Sequence, residues 1–385
     1  MPELFRDRGI DRSRKIAIVV NEASYFISHR LPLALEARSR GDEVLVICGK
    51  DTGEEMLEAH RVRYRTFDLS RSGFNPIREF ASIKQLRRIY TEEQPDLVHH
   101  VTIKPIIYGT PAARWENIPA VVNAVPGLGF VFTRRGIGAL IRRLLVNLMY
   151  RLALDHPNMR LIFQNREDMT AFLKSSTIPH RNAYLIRGSG VDLNSLPFSA
   201  EPDGGPTFVL VARMLKDKGV REFVEAARAV RRQHPNWRFW LAGDVDSGNP
   251  SSLLPETLAA WQAEGVVEWM GHTEDVAKVL SEANVACLPS YREGLPKSLL
   301  EAAAIGRAII TTNVPGCREV VTDDVTGLLV EPRDPITLAE AMLRLGANFR
   351  QRQRLALAAR KKAEAVFSIE DVVNDTFLVY DELLV

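Results

Sequence analysis

The stretch TFVLVARMLKDKGVREF, residues 207–223, holds one complete unit of the fold. TFVLVA (207–212) is a short, continuous apolar run, the pattern of a strand buried on both faces. Arg213 and Lys218 follow in a polar loop, and Gly219 opens a helix expected over 219–234. The same strand–loop–helix unit repeats in both directions. Downstream, RFWLAG (238–243), VVEWMG (266–271), VACLP (285–289), AIITT (308–312) and GLLV (327–330) read as strands, with helices at 335–347, 350–365 and 369–383. Upstream, KIAIVV (15–20), EVLVIC (43–48), DLVHHV (96–101), AVVNAV (120–125) and RLIFQN (160–165) read as strands, with helices near 28–40 and 76–94. Alternation of this kind makes a parallel sheet with helices on both faces.

Between the two series lies RGSGVDLNSLPFSAEPDGGP (187–206), rich in Gly, Pro, Ser and Asp. It reads as an interdomain linker. The expected architecture is α/β: two doubly wound, Rossmann-like domains, 1–186 and 207–365, facing a central cleft. The segment 366–385 is expected to form a C-terminal helix that packs back on the first domain. Length agrees, since 385 residues exceed one ordinary core. Ligands of such sheets sit outside the carboxyl ends of the strands, so the loops after the strands carry the search for function.

Composition narrows the class. Apolar residues make up 46% and charged residues 25%, which is the profile of a globular chain. A net charge of +2 does not suggest a nucleic-acid binder. Cys48, Cys287 and Cys317 have no metal or redox spacing, and a reducing, cytoplasmic setting is expected. The first fifteen residues have no apolar leader core, and no run of 18 apolar residues occurs.

YREGLPKSLLEAAAIG (291–306) follows the strand at 285–289. Pro296 suits a first helical turn and Gly306 a helix C-terminal cap, so a helix is expected over about 296–305. Its free N–H groups and positive end, beside Gly294, form an anion cradle best matched to phosphate, spanning Gly294, Leu295, Pro296, Lys297 and Ser298. Glu301 lies too far into the helix to cap it and suits neutral hydroxyls such as a ribose diol. Glu293, in the loop, suits sugar hydroxyls or backbone amides. The same spacing also describes an amphipathic helix with two solvated acids. Arg213 and Lys218 could clamp a diphosphate, Arg by its fork and Lys as a point charge, and stabilise charge on a diphosphate leaving group. An ordinary basic loop would look alike. The pair Asp244 and Asp246 in GDVDSG matches a pattern that elsewhere holds Mn²⁺ or Mg²⁺. With a cation clamp already present, no metal is expected.

Taken together, Arg213…Lys218, LAGDVDSG, EGLPKSLLE and GLLVEPRDP resemble glycosyltransferase family 4, a retaining family of the GT-B fold. The resemblance implies Arg213, Lys218 and Glu293 as the catalytic set, the first two on the nucleotide diphosphate and Glu293 on the donor sugar, with Glu301 on the ribose. It implies a UDP-sugar donor, net retention, and no cofactor. The segments HHVTIKPIIYG (99–109), NAVPGLGFVFT (123–133), LIFQNREDMTAFL (161–173) and GNPSSL (248–253) are similar to those of bacterial enzymes that extend an undecaprenyl-diphosphate-linked sugar. These include N-acetylgalactosaminyltransferases and capsule and O-antigen transferases. A lipid-linked saccharide acceptor and an N-acetylhexosamine or hexose donor follow from that likeness.

One departure stands out. Where many family members have a histidine before a glycine, this chain has Val125 and Pro126 before Gly127. His100 or Asn123 is the expected substitute, with His29, Lys104 and Gly127 also on the acceptor or sugar side; His100 could equally be a satisfied core histidine. His29 is expected just after a helix start capped by Ser28. FVFTRRGIGALIRRLLVNLMYRLAL (130–154) has helical apolar spacing with Arg134, Arg135, Arg142 and Arg143 gathered on it. Such a helix can lie on an anionic membrane and contact a lipid diphosphate, or pack its apolar face on the sheet. The expected place is the inner face of the cytoplasmic membrane. Alternatives are a UDP-sugar 2-epimerase of the same architecture, a transferase acting on a soluble acceptor, and a non-catalytic scaffold. A dinucleotide oxidoreductase is disfavoured, because VVNEASYF lacks any glycine after the first strand.

Overall fold

A computed structural model describes residues 13–51, 53–69, 76–127, 149–150, 153–176 and 178–384. Its first sheet comprises β1 (Lys15–Glu22), β2 (Glu43–Gly49), β3 (Arg63–Thr66), β4 (Leu97–Val101), β5 (Ala120–Val125), β6 (Met159–Phe163) and β7 (Ala183–Leu185). The strand order is β3-β2-β1-β4-β5-β6-β7, with every pair parallel. The second sheet comprises β8 (Thr207–Val211), β9 (Arg238–Ala242), β10 (Glu268–Gly271), β11 (Val285–Leu288), β12 (Ala308–Thr312) and β13 (Leu328–Val330). It runs β10-β9-β8-β11-β12-β13, again all parallel. Strand order reverses between β1 and β4 in one sheet and between β8 and β11 in the other. Those two switch points are where crossover helices leave room for a ligand.

Helices cover both faces of each sheet. On the first sheet, α1 (Ala23–Ser39) and α2 (Glu54–Ala59) share an apolar cluster with Ile16, Ile18 and Val46. The opposite face, with Ala17, Val19 and Leu45, packs on α3 (Pro76–Glu93), α4 (Ile103–Trp115) and Phe172 of α5 (Arg166–Ser175). On the second sheet, α6 (Val220–Arg231), α7 (Pro255–Ala263) and α11 (Pro335–Gly346) lie on one face. The other face holds α8 (Val276–Ser281), α9 (Lys297–Ile305), α10 (Pro315–Val320) and α12 (Phe349–Val366). Strands such as Ile16–Val20 are fully enclosed, so their runs are continuous rather than alternating.

The chain crosses between the two halves twice, and the crossings touch. The Val191 amide donates to Phe367 O at 2.8 Å, and the Ile369 amide donates back to Val191 O at 3.1 Å. Beyond this point α13 (Ile369–Leu383) lies on the first sheet, with Val372, Phe377, Tyr380 and Leu383 buried in its cluster. Ser368 caps α13 by accepting from the Glu370 and Asp371 amides.

The elements depart from expectation in places. α1 begins at Ala23, five residues before its expected start, so Ser28 is not a cap. Its hydroxyl instead bonds back to Ser24 O at 3.0 Å. Short β3 and β7, and helices α2, α4, α5, α7, α8 and α10, are not among the elements expected from the sequence. Arg134, Arg135, Arg142 and Arg143 lie outside the described residues. At the end of that same stretch, Tyr150, Ala153 and Leu154 are buried in the first sheet's core cluster, with the Tyr150 ring edge-on to Phe172 at 5.3 Å. Among the described residues, no helix is long and apolar enough to cross a membrane.

Candidate active site

The second switch point assembles the charged residues singled out above. Arg213 leaves the carboxyl end of β8, and its Nη1 donates to Asp246 Oδ2 at 2.6 Å. Lys218 ends a 3-10 turn, Lys216–Lys218, and Gly219 then reverses the chain into α6 with a left-handed φ of +74°. A Cβ on Gly219 would stand 2.0 Å from the Pro289 carbonyl oxygen, so only glycine brings this turn against the end of β11. Lys218 Nζ consequently reaches Glu293 Oε1 at 2.6 Å, and Ser290 Oγ donates to the same carboxylate oxygen at 2.6 Å. The Tyr291 hydroxyl, donating to Glu222 at 2.6 Å, pins the loop from the α6 side.

Helix α9 starts as expected and stops at Gly306, which is left-handed at φ +83°. Pro296 is its N-cap residue rather than its first-turn residue, and no side chain caps the helix start. The Leu295 side chain is buried in the apolar cluster and packs on the linker at Gly188. Ser298 is half-buried in the first turn. Lys297 sits 3.3 Å from Glu301 within the helix, and its Nζ also donates to Ser28 O of α1 at 3.0 Å, bridging the two halves. Burial raises the Glu301 carboxyl above its ordinary range, and Lys297 opposes that rise.

Gly294 serves a use that its sequence context did not reveal. A Cβ there would stand 1.4 Å from the Pro126 carbonyl oxygen of the first domain. Its own carbonyl accepts from Asn165 Nδ2 at 2.9 Å. Gly127, at φ +147°, abuts it from the other side, where a Cβ would lie 3.1 Å from Gly294 Cα. Arg292 pairs with the buried Asp168 across the same seam. One turn further, Arg318 makes a bidentate pair with Glu167 at 2.7 and 2.8 Å. The missing side chains at 127 and 294 therefore bring the two halves together beside the cradle.

On the first-domain side the expectations fare unevenly. His29 lies half-buried in the second turn of α1, stacked on Tyr25 with ring centroids 4.4 Å apart, and its Nδ1 meets Ser28 Oγ at 2.6 Å. Its enclosed setting, then the nearby cations Lys297, Arg30 and Arg213, push it down to about 3. It is neutral at physiological pH, and the charges of both halves converge on it. His100 and Asn123 do not face the cleft. Both are fully buried, with His100 Nδ1 bonded to Asn123 Oδ1 at 2.8 Å, His100 Nε2 to the Tyr90 hydroxyl at 2.8 Å, and Thr110 donating to Asn123 at 3.0 Å. The reading of His100 as a satisfied core histidine is the correct one; alternation along β4 turns it toward α3 and α4. Neighbouring His99 turns the other way, to the Tyr380 hydroxyl at 2.6 Å. Lys104, in the first turn of α4, pairs with buried Glu79 at 2.9 Å. Among the described residues, no group of three or more His, Cys, Asp or Glu could hold a metal ion, and Asp246 is engaged by Arg213.

Comparison with known proteins agrees with this geometry. Residues 15–165 match the model of the glycosyl transferase 4-like family, and residues 205–348 match that of the glycosyl transferases group 1. The chain is a family 4 glycosyltransferase. This glycosyltransferase is 27% identical over 381 residues to the N,N'-diacetylbacillosaminyl-diphospho-undecaprenol alpha-1,3-N-acetylgalactosaminyltransferase of Campylobacter jejuni, covering 93% of this chain and 98% of that one. It is 26% identical to the Escherichia coli UDP-Gal:alpha-D-GlcNAc-diphosphoundecaprenol alpha-1,3-galactosyltransferase, over 70% of this chain and 71% of that one. An Anabaena protein crystallised with UDP and glucose superposes with a TM-score of 0.78 at 16% identity, over 96% and 99% of the two chains. A sucrose-phosphate synthase from Thermosynechococcus elongatus also gives 0.78, at 18% identity and the same coverage. These two place the glycosyltransferase in the GT-B fold.

Sequence reasoning missed the partners of its own candidates. Asp246 was read only as a metal decoy, and Ser290, Asp168 and Asn165 were not singled out. The acid three residues after the β9 turn glycine, Gly243, is the signal that could have pointed to Arg213's counter-ion.

Proposed function

We propose that this glycosyltransferase moves an N-acetylhexosamine or hexose from a UDP-sugar to a lipid-diphosphate-linked saccharide, with retention at the anomeric carbon. The observation that carries the reading is the set of Arg213, Lys218, Glu293 and Glu301 around one strand-order reversal, each cation held by a carboxylate that a diphosphate can replace. The lipid-linked acceptor is supported by the activities of the Campylobacter and Escherichia relatives, and a UDP donor by the latter.

In this mechanism the diphosphate displaces Asp246 from Arg213 and Glu293 from Lys218. The two cations then stabilise the charge that develops as the bond between the anomeric carbon and the phosphate oxygen breaks. Glu293, released, takes the sugar hydroxyls, and Glu301 takes the ribose diol. The acceptor hydroxyl attacks on the face from which UDP departs and gives its proton to the leaving phosphate oxygen. His29, whose basicity its surroundings lower, is a poor proton acceptor. The protein supplies position and field rather than a proton acceptor. No metal takes part, and the basic stretch around Arg134, Arg135, Arg142 and Arg143 meets the membrane surface.

A panel of UDP-sugars incubated with undecaprenyl-diphosphate-linked acceptors, with product mass as readout, tests the reading. One donor should give a product one sugar heavier, and EDTA should not abolish it. Turnover of UDP-N-acetylglucosamine alone, with no acceptor, would point instead to the epimerase. Loss in EDTA with rescue by Mn²⁺ would refute the metal-free path.

A further inference from the structure

Behind His29, away from the clamp, lies a small pocket between α1, the linker and α13. It is lined by His29, Arg30, Ser189, Ile369, Val373 and Thr376, among others, and is narrow and open to solvent. Arg30 is 6% exposed, and no hydrogen bond or ion pair to it exists among the described residues. Its Nε is buried without a partner. Ser189 is 8% exposed, and its hydroxyl has no hydrogen-bond partner among the described residues. The lining contains no carboxylate. Thr376 donates its hydroxyl hydrogen to Val372 O at 2.7 Å, which leaves its oxygen an acceptor only. Among the described residues the other strongly buried arginines have acceptors: Arg307 donates to Ser199 O at 2.6 Å, and Arg352 pairs with Glu201 at 2.5 Å.

A buried guanidinium without a counter-charge is among the costlier arrangements a fold can hold. Its planar fork matches two oxygens of a carboxylate or phosphate, and a hydroxyl donor beside it completes the fit. We infer that the pocket between α1 and the two chain crossings binds a small oxyanion, held by Arg30 and Ser189. The position gives the site a structural meaning. Ser189 precedes the Val191 crossing and Ile369 begins the return, so a bound anion ties α1 to both segments that join the domains.

Thermal unfolding of the full chain in a non-coordinating buffer tests this, with inorganic phosphate, acetate and chloride added in separate arms. Wild type, Arg30→Met, Ser189→Ala and Arg213→Ala are compared, the last because phosphate can also enter the diphosphate clamp. Phosphate or acetate should raise the midpoint by about 2 °C or more in wild type and in Arg213→Ala. Arg30→Met should lose that response and, freed of an unpaired charge, melt no lower than wild type without anion. Ser189→Ala should need about 5-fold more anion for half-effect, and it keeps the test open should Arg30→Met fail to fold. The phosphate and acetate arms distinguish a phosphate from a carboxylate occupant. An equal response in Arg30→Met, no response in wild type, or chloride matching both oxyanions would overturn the inference. Loss of the response in Arg213→Ala alone would place the anion in the clamp and overturn it too.

Discussion

The carboxyl edges of the two sheets are provisioned in opposite ways. At the second sheet each site cation has a carboxylate in contact: Arg213 has Asp246, Lys218 has Glu293, and Lys297 has Glu301. At the first sheet the histidines of β4 are spent on neutral partners inside the core, and the buried Nε of Arg30 in α1 has no partner among the described residues. The difference shows how one duplicated architecture divides its labour. The second half pairs each of its site cations with an acid close at hand. The first half offers a surface shaped by packing, with charge imported from across the cleft by Lys297.

The contrast depends on the two halves meeting, and the seam at Gly294 is its weakest point. Gly294→Ala drives a Cβ into the Pro126 carbonyl, 1.4 Å away, and should lower transferase kcat/KM by about 100-fold or more through misplacement of the facing loops. Circular dichroism should report an unchanged fold. Wild-type turnover in this variant would mean that the halves do not close here during the reaction.

Glu301 is the next point of attack. Glu301→Gln should weaken UDP binding by about 10-fold or more, measured by calorimetry, because a charged acceptor to the ribose diol is lost. The same substitution should stabilise the unliganded protein at pH 7. Burial raises the Glu301 carboxyl, so the folded state holds its proton more tightly than the unfolded chain does. That contribution is full below the ordinary carboxyl value of 4.5 and is lost as pH rises through the raised one. A melting curve whose pH dependence above 4.5 is identical in wild type and Glu301→Gln would contradict this account.

A smaller effect is expected at Asp246. Asp246→Asn removes the acid that competes with the diphosphate for Arg213, and UDP should bind a few-fold more tightly, the size of an ion pair whose arginine side chain is 57% exposed. Weaker binding would mean that Asp246 orders Arg213 more than it competes for it.

Much of the second half was legible in the sequence, because its elements are short buried strands followed by loops with charged residues and capped helices. β8, β11 and α9 start and stop within a residue of expectation, since Pro296 and Gly306 punctuate the chain locally. The early start of α1 was not legible: Glu22 caps it without a side-chain bond, and Asp51, 28 residues away, accepts from the Ala23 amide instead. His100 was ambiguous for a related reason. Alternation along β4 shows that His99 and His100 point to opposite faces, but only the positions of Tyr90, Asn123 and Tyr380 decide that neither faces the cleft. Gly294 reads from the sequence as part of the anion cradle, but the group packed against it is Pro126 of the other domain, a contact between residues 168 positions apart in the chain.

Titration of UDP and of uridine into wild type and into the Arg213→Ala, Lys218→Ala double variant tests the central assignment most directly. If the second switch point is a diphosphate clamp, the double variant should lose about 100-fold in affinity for UDP while its weak affinity for uridine stays unchanged. Equal affinity of wild type and double variant for UDP would contradict it.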